Sequence, residues 1–158
     1  MKILVTGGAG FIGSQLVDKL IAEGHEVVIL DDFSSGNESF ISQDARVERV
    51  DILDWKIVSK SFKSFKPEAV FHLAAQIDIR SEFSDAKHYA TDSMNILQWS
   101  KKHGVKQLIF ASTAAVYGDN QNLPLKESEP YAPTSDYGKS KMHFEEHLLS
   151  ENRGDNIK

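Results

Sequence analysis

A phenol and an ammonium stand four residues apart, at Tyr137 and Lys141, in a helix-like stretch that places both on one face. A cation beside a phenol favours the phenolate and lowers its pKa. Tyr137 is therefore expected to act as a general base near neutral pH. Ser112-Thr113 follows the apolar run at 107–111 and offers a hydroxyl that could orient a substrate oxygen. Far upstream, Gly7-Gly8-Ala9-Gly10-Phe11-Ile12-Gly13 follows an apolar start. Glycines at this spacing let a backbone turn tightly and approach a diphosphate, and the helix that begins there offers free N–H groups and a positive dipole end. Asp31-Asp32 closes the next apolar run. A carboxylate there accepts bonds from both hydroxyls of an adenosine ribose and repels a 2′-phosphate. No Lys or Arg lies between Asp31 and Asn37, so NAD is expected rather than NADP.

Alternating elements must position these groups. Ile3-Leu4-Val5 is a short apolar run suited to a strand buried on both faces. Ile12, Leu16, Val17, Leu20 and Ile21 recur at helical spacing, and Gly24 closes that helix. Strands are expected at 27–30, 47–50, 69–73 and 107–111. Asp54 can cap a helix to about Phe65, where Pro67 breaks it; Phe62 and Phe65 are its core residues. A further helix spans about 85–103, closed by His103-Gly104. Three of the four prolines fall in 119–134, which reads as a long loop before a last helix capped by Ser135. Strands alternating with helices predict an α/β fold, a Rossmann-type doubly wound parallel sheet with helices on both faces. His72, at the end of an apolar strand, is expected to be a satisfied structural histidine.

The 158 residues are one domain's worth. Hydrophobic residues make up 41% and charged residues 26%, which is ordinary for a globular protein. A net charge of −5 argues against nucleic acid as a partner. No apolar run reaches the roughly 18 residues of a membrane span, and no signal-peptide layout opens the chain. Cysteine is absent, which excludes thiolate chemistry and suits a reducing, cytoplasmic compartment.

The joint pattern resembles the extended short-chain dehydrogenase/reductases, and within them the NAD-dependent nucleotide-sugar 4-epimerases of the UDP-glucose type. The likeness is carried by Gly7 to Gly13, Leu30-Asp31-Asp32, Asp51-Ile52, His72-Leu73-Ala74-Ala75-Gln76, Ser112 to Gly118, and Tyr137-Gly138-Lys139-Ser140-Lys141. The resemblance implies NAD as cofactor, a UDP-hexose substrate and epimerisation at C4 through a transient 4-keto sugar. It implies cofactor contacts from Gly7, Gly10, Phe11, Ile12, Gly13, Asp31 and Asp32. It adds Asp51 and Ile52 at the adenine, and Ala74, Ala75 and Gln76 at the pyrophosphate and nicotinamide end. Thr113 would bond the sugar 4-hydroxyl and Tyr137 would be the base. Lys141 would hold the nicotinamide ribose and tune Tyr137. Ala114-Ala115 stands where related dehydratases carry an acid, which favours epimerisation over dehydration.

Two departures from the family pattern stand out. The family continues beyond Lys158 into a sixth strand and a substrate domain, so the chain reads as the cofactor-binding and catalytic-base half of a longer enzyme. Its alternative is a non-catalytic NAD-binding module acting through a partner. The segment 85–99 is about one helical turn short, and the usual Asn-x-x-Gly-Thr pattern cannot be placed there. An uncovered fifth strand, and a loss of cover around Phe144 and Leu148, lead to the expectation of a homodimer. His143 and His147 lack a third ligand of convincing spacing, so no metal is expected.

Overall fold

The computed structural model describes residues 1–75 and 86–151, with side chains described outside 86–92 and 151. In chain order the elements are β1 (Lys2–Thr6), α1 (Phe11–Ala22), β2 (Glu26–Asp31), β3 (Arg46–Arg49), α2 (Trp55–Phe65), β4 (Ala69–His72), α3 (Ala86–Lys102), β5 (Gln107–Phe110) and α4 (Asp136–Glu151). Short 3-10 turns occupy Glu38–Phe40 and Ala114–Tyr117. The described residues fall into two compact units. One comprises Met1–Ala75 and Asn95–Ala111, and the other 86–94 and 112–151.

The first unit holds the whole sheet. Its strands are parallel in the order β3-β2-β1-β4-β5. Chain progress runs outward from β1 to β3 and then returns to β4 on the other side of β1. Right-handed crossovers therefore place α1 and α2 on opposite faces. The reversal leaves a crevice at the carboxyl ends of β1 and β4, where doubly wound sheets take their ligands.

Strand residues alternate between the two faces. Ile3, Val5, Val27, Ile29 and Ala69 pack with Val17 and Leu20 of α1. Leu4, Val28, Leu30 and Val70 belong to the other face and are fully buried. Burial on both faces explains why these strands read as unbroken apolar runs. In α2, Val58, Phe62 and Phe65 are buried as expected, and the Asp54 carboxylate accepts from the Lys56 and Ile57 N–H groups at the cap. Gly24 ends α1 at φ +81. In α4, the Ser135 hydroxyl accepts from the Gly138 N–H at 3.0 Å.

Three expectations are corrected. β3 is Arg46–Arg49 rather than 47–50, and as an edge strand it is mostly exposed, so its pattern carries little hydrophobic signal. Ile12 has the right spacing for the core of α1 but is 68% exposed, because it sits in the first turn above the sheet edge. Phe144 is buried, at 2% exposure, so α4 is covered at this residue, whereas Leu148 is half-buried.

Candidate functional site

The loop after β1 is shaped by the chain's own backbone at two glycines. Gly7 has φ +71, and a Cβ there would lie 2.6 Å from the Ala74 nitrogen, at the end of β4. A Cβ on Gly13 would lie 2.1 Å from the Gly7 carbonyl oxygen. Both positions are closed to side chains by the fold itself. Gly10 differs: a Cβ there would meet only the Gly7 oxygen, at 3.3 Å. Internal packing therefore makes a weaker demand for glycine at position 10 than at 7 or 13. Gly10 is also the N-cap of α1, with no side-chain bond to the first turn and no acid in it. The first N–H groups of a helix have no intrahelical partners. Phe11 stands beside them at 84% exposure, an unusual place for a large apolar residue. A glycine opening, uncapped donors and exposed apolar rims fit the diphosphate of a dinucleotide.

Asp31, at the end of β2, is buried. Its Oδ2 accepts from the Ala9 N–H at 2.9 Å and its Oδ1 from the Phe33 N–H at 2.8 Å. The carboxylate therefore ties the glycine loop to the turn after β2. A carboxylate has about four acceptor positions, so two remain for ribose hydroxyls. Asp32 is exposed and closes a local turn through Ser34, accepting from its N–H at 2.8 Å and its hydroxyl at 2.7 Å.

The sequence showed no cation between Asp31 and Asn37, but the sheet sets one on the neighbouring strand. Arg49 on β3 is in register with Asp31, and its guanidinium lies 4.2 Å from the centroid of the Phe33 ring. Glu38 pairs with it. Only strand pairing discloses this neighbour, eighteen residues away in sequence.

Asp51 accepts from the Leu53 N–H at 2.9 Å in an exposed turn, and Ile52 beside it is buried. The Ala74 N–H donates to the Thr6 hydroxyl at 3.2 Å, and that hydroxyl lies 2.7 Å from His72 Nδ1. His72 is fully buried and stacks on Phe110, which makes it structural as expected. Ala75 is half-buried. Gln76 lies outside the described residues.

The second unit assembles Thr113, Tyr137 and Lys141. Thr113 caps the turn at Ala114–Tyr117, its Oγ1 accepting from the Ala115 N–H at 3.2 Å. It also shares a side-chain hydrogen bond with Tyr137. Lys141 is buried, with Nζ 5.8 Å from the centroid of the Tyr137 ring.

The expected lowering of the Tyr137 pKa is not found. Burial raises it above the ordinary phenol value, and the Thr113 hydrogen bond offsets only part of that rise. Desolvation penalises the phenolate before any cofactor cation is at hand. Ser112 does not duplicate Thr113. Its hydroxyl donates to Glu145, a residue of α4 that the sequence reading passed over as part of a solvated face. The signal for Glu145 was its spacing, one turn beyond Lys141 and two beyond Tyr137 on the same helix face. His143 pairs loosely with Glu146 at 3.6 Å, and no cluster of metal-binding side chains occurs among the described residues. Nor is any described helix long and apolar enough to cross a membrane.

Comparison with known proteins agrees with this layout. A putative UDP-glucose 4-epimerase from Methanocaldococcus jannaschii is 41% identical over 157 residues, covering 96% of this chain and 51% of that protein. The crystal structure of UDP-glucose 4-epimerase with UDP-glucose from Thermotoga maritima superposes with a TM-score of 0.91 at 39% identity, covering 100% of this chain and 53% of that one. The Thermus thermophilus UDP-glucose 4-epimerase in complex with NAD gives a TM-score of 0.91 at 35% identity, again covering 100% and 53%. The chain thus spans about half the length of the relatives it matches. The model of the NAD dependent epimerase/dehydratase family matches residues 3–158. By that match and by the architecture of its glycine loop and Tyr–Lys helix, the chain belongs to the NAD-dependent epimerase/dehydratase family.

Proposed function

We propose that this chain is the cofactor-binding and catalytic-base half of an NAD-dependent nucleotide-sugar 4-epimerase acting on UDP-hexoses. The observation that carries the proposal is the Thr113–Tyr137–Lys141 group, present in one chain with a glycine loop that opens a helix without a side-chain cap.

The residues divide the work. Uncapped N–H groups at the start of α1 hold the diphosphate, and Asp31 accepts from the adenosine ribose. When bound, NAD supplies reversible hydride acceptance. Thr113 bonds the sugar 4-hydroxyl, and Tyr137 takes the proton from that hydroxyl as C4 is oxidised. Tyr137 then returns it once the 4-keto sugar has presented its other face. Burial keeps Tyr137 protonated at rest, so its action as a base depends on the Lys141 ammonium and the cationic cofactor. Such coupling confines proton abstraction to the loaded enzyme.

Mass spectrometry of the purified, denatured protein should release NAD, and calorimetry should show tighter binding of NAD than of NADP. Failure of both would overturn the cofactor assignment. A chain extended to the length of its relatives should interconvert UDP-glucose and UDP-galactose, and inactivity of a folded, NAD-loaded form would overturn the reaction. The protein is also proposed to be a cytoplasmic homodimer. Among the described residues β5 is an outer strand of the sheet, with Ile109 39% exposed, and that edge supports pairing with a second copy. A strict monomer in light scattering would exclude it.

A further inference from the structure

We propose that Glu145 is the positioning residue of the acid–base group, clamping the segment that carries Thr113 to the helix that carries Tyr137. Its carboxylate is shared between two hydroxyls. One oxygen accepts from Ser112, the residue before Thr113. The other accepts from the Tyr131 phenol at 2.5 Å. Tyr131 in turn reaches the far end of the same segment. Its ring pairs with that of Tyr117 at 6.0 Å between centroids, and the next residue, Ala132, donates its N–H to the Val116 carbonyl at 2.9 Å. Glu145 therefore holds the start of 112–117 directly and its end through Tyr131.

The reference point for both ends is α4. Glu145 lies on the face of α4 that carries Tyr137 and Lys141, so any tilt of 112–117 relative to Tyr137 must break a bond to this carboxylate. The partners are exposed or half-buried hydroxyls that water could satisfy, so solvation alone does not require the carboxylate. What the arrangement adds is a fixed place for Thr113 Oγ1. A misplacement of about 1 Å at a reacting group can cost on the order of 100-fold in rate. The catalytic meaning of the clamp rests on the function proposed above, whereas its geometry can be tested without turnover.

The test is NMR on the full chain with 13C-methyl threonine and labelled tyrosine. The parent should show a nuclear Overhauser effect between the Thr113 methyl and the Tyr137 ring, assigned by its loss in Y137F. In E145A and in S112A that cross-peak should vanish while the cooperative melt persists. E145Q keeps the shape and can bond both hydroxyls, its carbonyl accepting from one and its amide donating to the other, and should retain the cross-peak. Retention at parental intensity in E145A or S112A would overturn the proposal, as would loss in E145Q to the same degree as in E145A. If E145A does not fold, S112A and E145Q decide. NAD binding by the parent and epimerisation by a chain extended to its relatives' length, measured separately, test the function itself, so failure of one does not imitate failure of the other.

Discussion

Replacing Asp31 by alanine separates two duties that one carboxylate performs. The structural duty is visible without cofactor: two backbone N–H groups, from Ala9 and Phe33, donate to it at 2.9 and 2.8 Å. Ala9 is fully buried, so its N–H would lose its partner with little access to water. An orphaned buried donor costs roughly 1–3 kcal/mol, and a bond to a charged group contributes about 1.5–3 kcal/mol. The Phe33 N–H is only part-buried, and water recovers most of its loss. The sum is a destabilisation of about 3 kcal/mol. At ~2–4 °C per kcal/mol for a chain of this size, Asp31→Ala should melt roughly 6–12 °C below the parent without NAD.

The binding duty is read by calorimetry. Lost ribose bonds of about 1.5–3 kcal/mol should weaken NAD by on the order of 10- to 100-fold, while NADP, relieved of repulsion, weakens less or not at all. The selectivity gap should therefore narrow. A melting temperature equal to the parent's would refute the tether between the glycine loop and the turn after β2. NADP binding as tightly as NAD in the parent would refute the role of Asp31 in selectivity.

Further outcomes follow from the same contacts. Gly7→Ala, which needs φ +71 and drives a Cβ into the Ala74 backbone, should lose more than about 1–3 kcal/mol in denaturant melts. Gly10→Ala should stay within about 1 kcal/mol of the parent, because a Cβ there meets only the Gly7 oxygen, at 3.3 Å, yet lose NAD binding if the loop holds the diphosphate as proposed. In a chain restored to its relatives' length, Tyr137→Phe should cut epimerisation by roughly 10²- to 10⁴-fold with NAD affinity nearly unchanged. Near-normal turnover would exclude Tyr137 as the base.

Stability should also depend on pH at both ends. Among the described residues His103 Nε2 is buried without a hydrogen-bond partner, with the Phe62 and Trp99 rings beside it, and burial first, then Lys102 and Lys63, hold its pKa below 6.5. Its unfolded form binds the proton more readily, so stability is full above 6.5 and falls as the pH drops. His103→Phe should flatten that acid limb in pH-dependent melts. Tyr131, pushed up to about 12 chiefly by its bond to Glu145, contributes stability that is present below 10 and lost as pH rises toward 12. Tyr131→Phe should remove that alkaline loss.

The sequence alone determined the sheet's interior strands, the helices that follow them and the chemistry to be expected. Residues 3–5, 27–30 and 69–70 are apolar because both faces of a parallel sheet are covered, and that requirement is written locally. Asp54, Ser135 and Gly24 mark helix ends through bonds and backbone angles of their own neighbourhoods, so they too were legible. Glycine at 7, 10 and 13, and tyrosine four before lysine, are short-range patterns tied to particular chemistry.

Tertiary structure decided what depends on distant partners. β3 lies on the sheet's edge with little apolar signal, and its register alone sets Arg49 on the strand next to Asp31. The Tyr137 pKa rises because desolvation, a property of everything packed around the phenol, outweighs the Thr113 hydrogen bond that opposes it. Ser112 and Thr113 look equivalent in sequence, and only the fold turns one toward Glu145 and the other toward Tyr137. Glu145 itself looked like surface charge, since no short-range pattern records that residues 112 and 131 converge on one carboxylate of a helix that begins after both.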